Sequence, residues 1–346
     1  MRFRTYPIML AAWVLGLAPA NALACDVTTP TNVSVGSHSP AALKAAAVPL
    51  TPTLGGFSCS SANILTLLSG NFLKATVPAD TVLKLSSATT ADTVPFKLYA
   101  DAAGTNELKP GTEAYYINGT LLNLLNLFGN GAIDVPVHFK LATEGYVAPG
   151  TYTGSFSIRW DWYFCSGIGL LGLCIGAPDS GGKSATVNVT LTVAHKPPTV
   201  MVETGVTLWN PIEGILNPKA IPRSKRRISV TITNTDIVPL EPGVLKVQLP
   251  TPNRLAIVLD GDGTGLGPVI QTRQGNPASG LTLSYAAPGS TTDDVDFSSD
   301  GGATWGHLPV AGDSASQGAV THVRFRPAGN MAPQSSLTIS LPYSLK

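Results

Sequence analysis

The side chains able to do chemistry in this sequence are few: four cysteines (Cys25, Cys59, Cys165, Cys174), five histidines and two short acidic runs. The sharpest feature is the segment from Cys165 to Cys174, where Ile168, Leu170, Leu171 and Leu173 are interspersed with glycines and no charge intervenes. A disulfide across it would staple the base of a hairpin, so the apolar tip would lose less entropy on docking. Exposed contiguous apolar surface marks interaction sites, so one reading is an adhesive finger. The same loop folded back on its own sheet would be ordinary core, and a contact for another polypeptide is the third reading. A second apolar stretch, Leu121 to Phe128, carries Leu124, Leu125 and Phe128 between Asn118-Gly119 and Gly129-Asn130-Gly131. If it lies beside the first loop the two form one greasy surface; as a buried helix it would not, and burial is the expected state.

Other constellations are weaker. Asp260-Gly261-Asp262-Gly263-Thr264-Gly265 alternates oxygen ligands as a calcium loop does, but Gln271 stands where the bidentate Glu is needed, so an ordinary acidic turn is expected. Asp293, Asp294, Asp296 and Asp300 read as a solvated hairpin edge, and Arg223-Ser224-Lys225-Arg226-Arg227 as a solvated loop protecting a strand edge. His38, His138, His195, His307 and His322 lack the spacing of a metal site. Gly56-Phe57-Ser58-Cys59-Ser60 ends in Ser where a hydrolase elbow needs Gly, and no phosphate-cradling Gly loop precedes a helix. No catalytic residue, metal ligand or cofactor is assigned, and the protein is read as non-enzymatic.

The compartment follows from the first residues. Arg2 and Arg4 precede a mostly apolar run from Pro7 to Pro19, and Ala22-Leu23-Ala24 puts small residues where a signal peptidase cuts, so residues 1–24 read as a signal peptide. The run is shorter than the roughly 20 residues a bilayer span needs. Cleavage would leave 20 basic and 21 acidic residues, with Cys25 first. Lipidation of that thiol is disfavoured because Ala22 stands where the anchoring signal has Leu, and because four cysteines in an oxidising compartment pair fully. Three pairings are open; Cys25–Cys59 with Cys165–Cys174 is the one expected. A net charge of +1 over 346 residues, with only 12% charged, gives no electrostatic handle for nucleic acid.

These residues must sit on strands. Thr186 to Val193 alternates Val187, Val189, Leu191 and Val193 with polar partners, the period-two mark of a half-buried strand. Further strand candidates are Thr76-Val77, Thr81 to Leu85, Val94 to Tyr99, Asp134 to Leu141 and Thr151 to Tyr163. Helical periodicity is nearly confined to Pro40 to Ala47 and the Leu121 to Phe128 run. His195-Lys196-Pro197-Pro198 cannot continue a ladder, which places a linker at 195–198 between a domain of residues 25–194 and one of residues 199–346. The second carries strand candidates at Thr199 to Leu208, Arg227 to Thr233, Val244 to Leu249, Ala256 to Leu259, Leu281 to Tyr285, Val320 to Arg326 and Ser336 to Leu341. The expected class is all-β, two immunoglobulin-like β-sandwiches in series.

The first domain resembles the spore coat protein U family, which includes archaic chaperone–usher pilus subunits. The resemblance rests on a Cys near the start, Gly56-Phe57-Ser58-Cys59-Ser60, Val94 to Ala102 with its Leu-Tyr-Ala-Asp, Val147 to Gly154 with its Ala-Pro-Gly-Thr-Tyr-Thr, and a closing strand at Thr186 to Val193, in family order over about residues 25–194. Trp160-Asp161-Trp162-Tyr163 before the Cys-bounded loop is similar to tip-type members. The resemblance implies donor-strand complementation, in which a subunit lacking one strand is filled first by a periplasmic chaperone and then, at an usher, by a neighbouring pilin subunit. With Cys25 first, no donor segment would precede the sandwich, as suits a distal tip. Residues 199–346 resemble conserved-repeat immunoglobulin-like domains of bacterial surface proteins, through Asn217 to Pro222, Val230 to Thr235, Ser290 to Thr304 and Val320 to Pro327. The expectation is an exported adhesin, tip-like in a fimbrium, whose apolar loops touch a host or abiotic hydrophobic surface. A coat component that never meets an usher is the structural alternative; a secreted hydrolase would need a polar cleft of titratable groups.

Overall fold

The computed structural model describes residues 25–59, 70–118, 133–165, 168–170, 173–175, 178–263 and 268–346. The chain separates into two compact units, one holding residues up to Gly36 with Pro49–Leu141 and Tyr152–Leu191, the other Ser37–Val48, Ala142–Thr151 and Thr192–Lys346. Both are all-β, as the punctuated apolar alternation predicts.

The N-terminal part runs β1 (Cys25–Val27), β2 (Thr31–His38), α1 (Pro40–Lys44), β3 (Thr51–Cys59), β4 (Phe72–Thr76), β5 (Lys84–Ser87), β6 (Thr93–Tyr99), β7 (Glu113–Asn118), β8 (Ile133–Leu141), β9 (Gly150–Cys165), β10 (Ile168–Leu170), β11 (Leu173–Ile175) and β12 (Pro178–Val193). Hydrogen-bonded neighbours follow the order β1-β3-β8-β6-β5-β9-β12-β2, with β4 joining β9 to β7. That path begins and ends on two consecutive pieces of chain, because the first strand leaves β3 after Val27 and resumes as β2 beside β12. Contacts along β2 and β12 keep a nearly constant offset: Thr186 N–H donates to Thr29 Oγ1, Asn188 Nδ2 to Asn32 Oδ1, and Ala194 N–H to His38 O. The two strands therefore run in the same direction.

The core of this part comes from alternation. In β12 Ala185, Val187, Val189, Leu191 and Val193 are buried, and in β6 Val94, Phe96 and Leu98 are. The helix expected at Pro40 to Ala47 is present as α1, with Ser39 Oγ accepting from Ala42 N–H and Pro40 opening the first turn. The Leu121 to Phe128 run lies outside the described residues.

The second unit adds β13 (Thr199–Trp209), β14 (Lys225–Thr233), β15 (Val247–Pro250), β16 (Leu255–Ile257), β17 (Gln271–Gln274), β18 (Val295–Ser298), α2 (Ser314–Gly318), β19 (His322–Phe325) and β20 (Ser336–Leu345). One sheet orders β13-β14-β20-β16 with β17 on β20; the other is β15-β19-β18. Ile228, Val230 and Ile232 of β14 and Leu337, Ile339, Leu341 and Tyr343 of β20 face Phe297, Val323 and Phe325 in one core. Leu281 to Tyr285, expected as a strand, forms only a single bridge, Thr282 to Ala328, although Leu281 reaches the core.

Candidate functional site

The first strand is bolted to its sheet. Cys25 and Cys59 stand directly opposite each other in β1 and β3 and form a disulfide closing a 34-residue separation, as expected. Asp179, at the start of β12, joins this corner to the aromatic core: its Oδ2 accepts from Cys25 N–H at 2.7 Å and its Oδ1 from Trp162 Nε1 at 2.9 Å. Nothing in the sequence pattern singled out Asp179, because its partners lie far away along the chain. Beneath it, Phe57 packs between Trp160 and Trp162, with centroids at 5.4 and 5.3 Å, and Tyr116 lies 5.2 Å from Trp160. Trp160 Nε1 donates to Gly55 O at 2.8 Å. A Cβ on Gly55 would come within 2.7 Å of the Trp160 ring and of Val137, so only glycine lets this strand approach. Burial drives the Tyr116 phenol well above its ordinary range, so it stays protonated, donating to Pro136 O at 3.1 Å.

Between the end of β9 and the start of β12 a separate two-stranded ribbon, β10–β11, belongs to neither larger sheet. Its register pairs Ile168 with Ile175, Gly169 with Cys174 and Leu170 with Leu173. Directly opposed residues and those two apart share a face, so the aliphatic positions 168, 170, 173 and 175 occupy one face and Gly169 and Cys174 the other. Cys165 ends β9; the Cys165–Cys174 pairing and the side chains of Ile168, Leu170 and Leu173 lie outside the described residues, as do Leu171, Leu124, Leu125 and Phe128 altogether.

Several strand edges have no second ladder partner among the described residues, those of β3 and β13 among them. In β3, Thr51 to Leu54 bond β8 on one side, but β1 covers only Phe57 to Cys59 on the other, and Thr28 N–H reaches Gly56 O. The slit left between β2 and β3 is a cavity of about 300 Å³ lined by Thr28, Asn32, Leu54, Phe57 and Asp134 among others. In the second unit β13 bonds only β14, and Val200, Met201, Val202 and Val206 are 50–78% exposed.

The charged runs correct the sequence reading. Lys225 and Arg227 are buried rather than solvated, and the acidic turn neutralises them. Lys225 Nζ contacts both Asp260 carboxylate oxygens at 2.8 Å, and Arg227 Nε lies 2.8 Å from Asp262 Oδ1. The turn that resembled a calcium loop thus binds the side-chain cations of β14. The second acidic cluster is solvated only in part: Asp300 is exposed, but Asp293 is buried and accepts from Ala286 N–H, while Asp296 pairs with Arg324 and Arg326. Asp300 accepts from Ser298 Oγ and from Thr304, bonds that hold its carboxyl well below the usual range.

Sandwich architecture, a disulfide-bolted first strand and free strand edges define an all-β, immunoglobulin-like class. Residues 13–159 match the model of the Spore Coat Protein U domain, so the N-terminal part of the chain is similar to that family. Similar solved structures include a chain of the chaperone–tip adhesion subunit pre-assembly complex from the archaic chaperone-usher Csu pili of Acinetobacter baumannii, 13% identical, covering 93% of this chain and 94% of that one, with a TM-score of 0.42. Another is the major subunit of aggregative adherence fimbriae type I from Escherichia coli, 15% identical over 49% of this chain and 94% of that one, with a TM-score of 0.21. No curated protein sequence matches the chain.

Proposed function

We propose that this protein is an exported, pilus-type surface subunit that attaches through the hairpin at the end of its N-terminal sandwich. The family match supports a pilus-type surface subunit. The observation that carries attachment is the β10–β11 ribbon, where four aliphatic positions share one face outside the sheets that form the core. A Cys165–Cys174 disulfide, if formed, would stiffen that ribbon, and Leu124, Leu125 and Phe128 would extend its apolar area. The partner is a hydrophobic host or abiotic surface. Replacing Leu170 and Leu171 with Asp in a protein still exported and folded is expected to abolish binding to polystyrene; unchanged binding would overturn the reading.

Assembly is a second element of the proposal, favoured by one observation. Residues 25–38 already occupy edges of both faces of the N-terminal sandwich, whereas β13 presents a full free edge. A periplasmic chaperone, and later a neighbouring pilin subunit at an usher, would add a strand there. Co-purification from the periplasm tests this: Val200→Lys with Val202→Lys, a charged edge of the kind that blocks strand addition, should release the partner while the domain stays folded. A partner retained by the double variant would exclude β13 as the docking edge.

A further inference from the structure

A cavity of about 450 Å³ in the second unit is lined by Trp209, Arg223, Lys225, Asp260, Ser344 and Lys346 together with the ends of β16 and β20. Its volume falls within the roughly 300–1,000 Å³ typical of small-molecule sites. The basic run and the acidic turn build it. Lys225, its side chain 11% exposed, is clamped by Asp260 and sits 5.5 Å from the Trp209 ring centroid, while Gly263 packs so closely on the indole that a Cβ would lie 2.6 Å from it. Trp209 and the Lys225–Asp260 pair are therefore held in place before any ligand arrives.

Arg223 differs from its neighbours. Among the described residues its guanidinium has no ion-pair partner, unlike Lys225 and Arg227, yet its backbone is fixed. It adopts φ +68°, a conformation that costs a non-glycine residue, while its N–H donates to Leu345 O at 2.7 Å. Arg223 thus adds to the cavity lining a cation with no ion-pair partner among the described residues. With Lys225 and Lys346 against Asp260, the lining carries a net positive charge. The hydroxyls of Ser314 and Ser344 have no hydrogen-bond partner among the described residues and also face the cavity lining, beside the apolar surface of Trp209, Ile257 and Val258.

We infer that this cavity binds a small carboxylate-bearing sugar, a uronic acid or the terminal acidic residue of a saccharide. Arg223 would receive the carboxylate through its two-pronged donor geometry. The serine hydroxyls and the outer lone pairs of Asp260 would meet the ring hydroxyls, and the sugar's C–H groups would lie along the indole. This site is independent of the attachment hairpin, so either can fail alone.

Calorimetry on the full chain with glucuronate, glucose and acetate as probes tests the inference. Glucuronate is expected to bind at least tenfold more tightly than glucose or acetate, because only it satisfies both the cation and the hydroxyls. Arg223→Gly suits the left-handed backbone, so the domain should keep its fold while glucuronate affinity drops at least tenfold; Arg223→Lys should lose less. Absence of glucuronate binding, equal affinity for acetate, or undiminished binding by a folded Arg223→Gly variant would overturn it.

Discussion

β12 and β13 are consecutive long strands, both rich in β-branched residues, yet they end in opposite circumstances. In β12 apolar residues fall strictly at every second position from Ala185, and Val187, Val189, Leu191 and Val193 are at most 2% exposed between β9 and β2. In β13 Val200, Met201 and Val202 are adjacent, so the apolar residues fall on both faces, and all three are about half exposed. Its pairing with β14 also shifts register between Thr204 and Thr207 and again before Trp209. β-Propensity is shared; periodicity and the number of flanking strands separate a core strand from an available edge.

The contrast can be broken or sharpened in order of expected effect. Removing the bolt beside β12 should cost most: Cys25→Ala with Cys59→Ala opens a 34-residue loop, and chain entropy alone predicts a loss of about 4 kcal/mol from the N-terminal sandwich in denaturant titrations, with the second unit unaffected. Leu191→Ala should cost about 3 kcal/mol, because Leu191 is fully buried in β12. A pH titration should then split the units. Burial lowers the His138 pKa from 6.5, with nearby Asp101 opposing, so below pH 6.5 the unfolded chain takes up a proton that the folded one resists, and the first unit loses stability as pH falls. The second unit should respond at lower pH, because bonds from Thr304 and Ser298 depress the Asp300 pKa from 3.8 and protonation below that value favours unfolding. Hydrogen exchange resolved by unit would read both, and a second unit that softened first would contradict the assignment. Smallest of all, Val206→Thr in β13, 78% exposed, should change stability by no more than about 0.5 kcal/mol. A loss near that of Leu191→Ala would mean that β13 is covered in solution.

Strands whose alternation is carried by their own residues were legible in the sequence: β12, β14, β20 and β6 follow their apolar period. Those held by neighbours were not. β2, Thr31–His38, fully buries little besides Val35 and owes its place to β12, and β17 is a polar Gln-Thr-Arg-Gln segment held by β20. α2 rests on Asp313 accepting from Ala315 N–H, a cap too short to leave a periodic trace. For the sites, the apolar hairpin was visible because its residues are contiguous. The cavity beside Trp209 was not, since it needs Arg223 and Lys225 brought to Asp260 across a separation that local spacing does not encode. Reading the basic run and the acidic turn separately made each look solvated; their opposite signs were the one available hint that they meet.

The parallel alignment of β2 with β12 bears on tension. If a pull reaches the N-terminal sandwich through its two ends, the start of β2 and the finish of β12 are drawn in opposite directions along one shared ladder. The bonds at Thr29, Asn32 and His38 are then loaded together in shear, instead of opening one after another like a zipper. A sandwich wired this way would withstand a pull for longer than its equilibrium stability alone suggests.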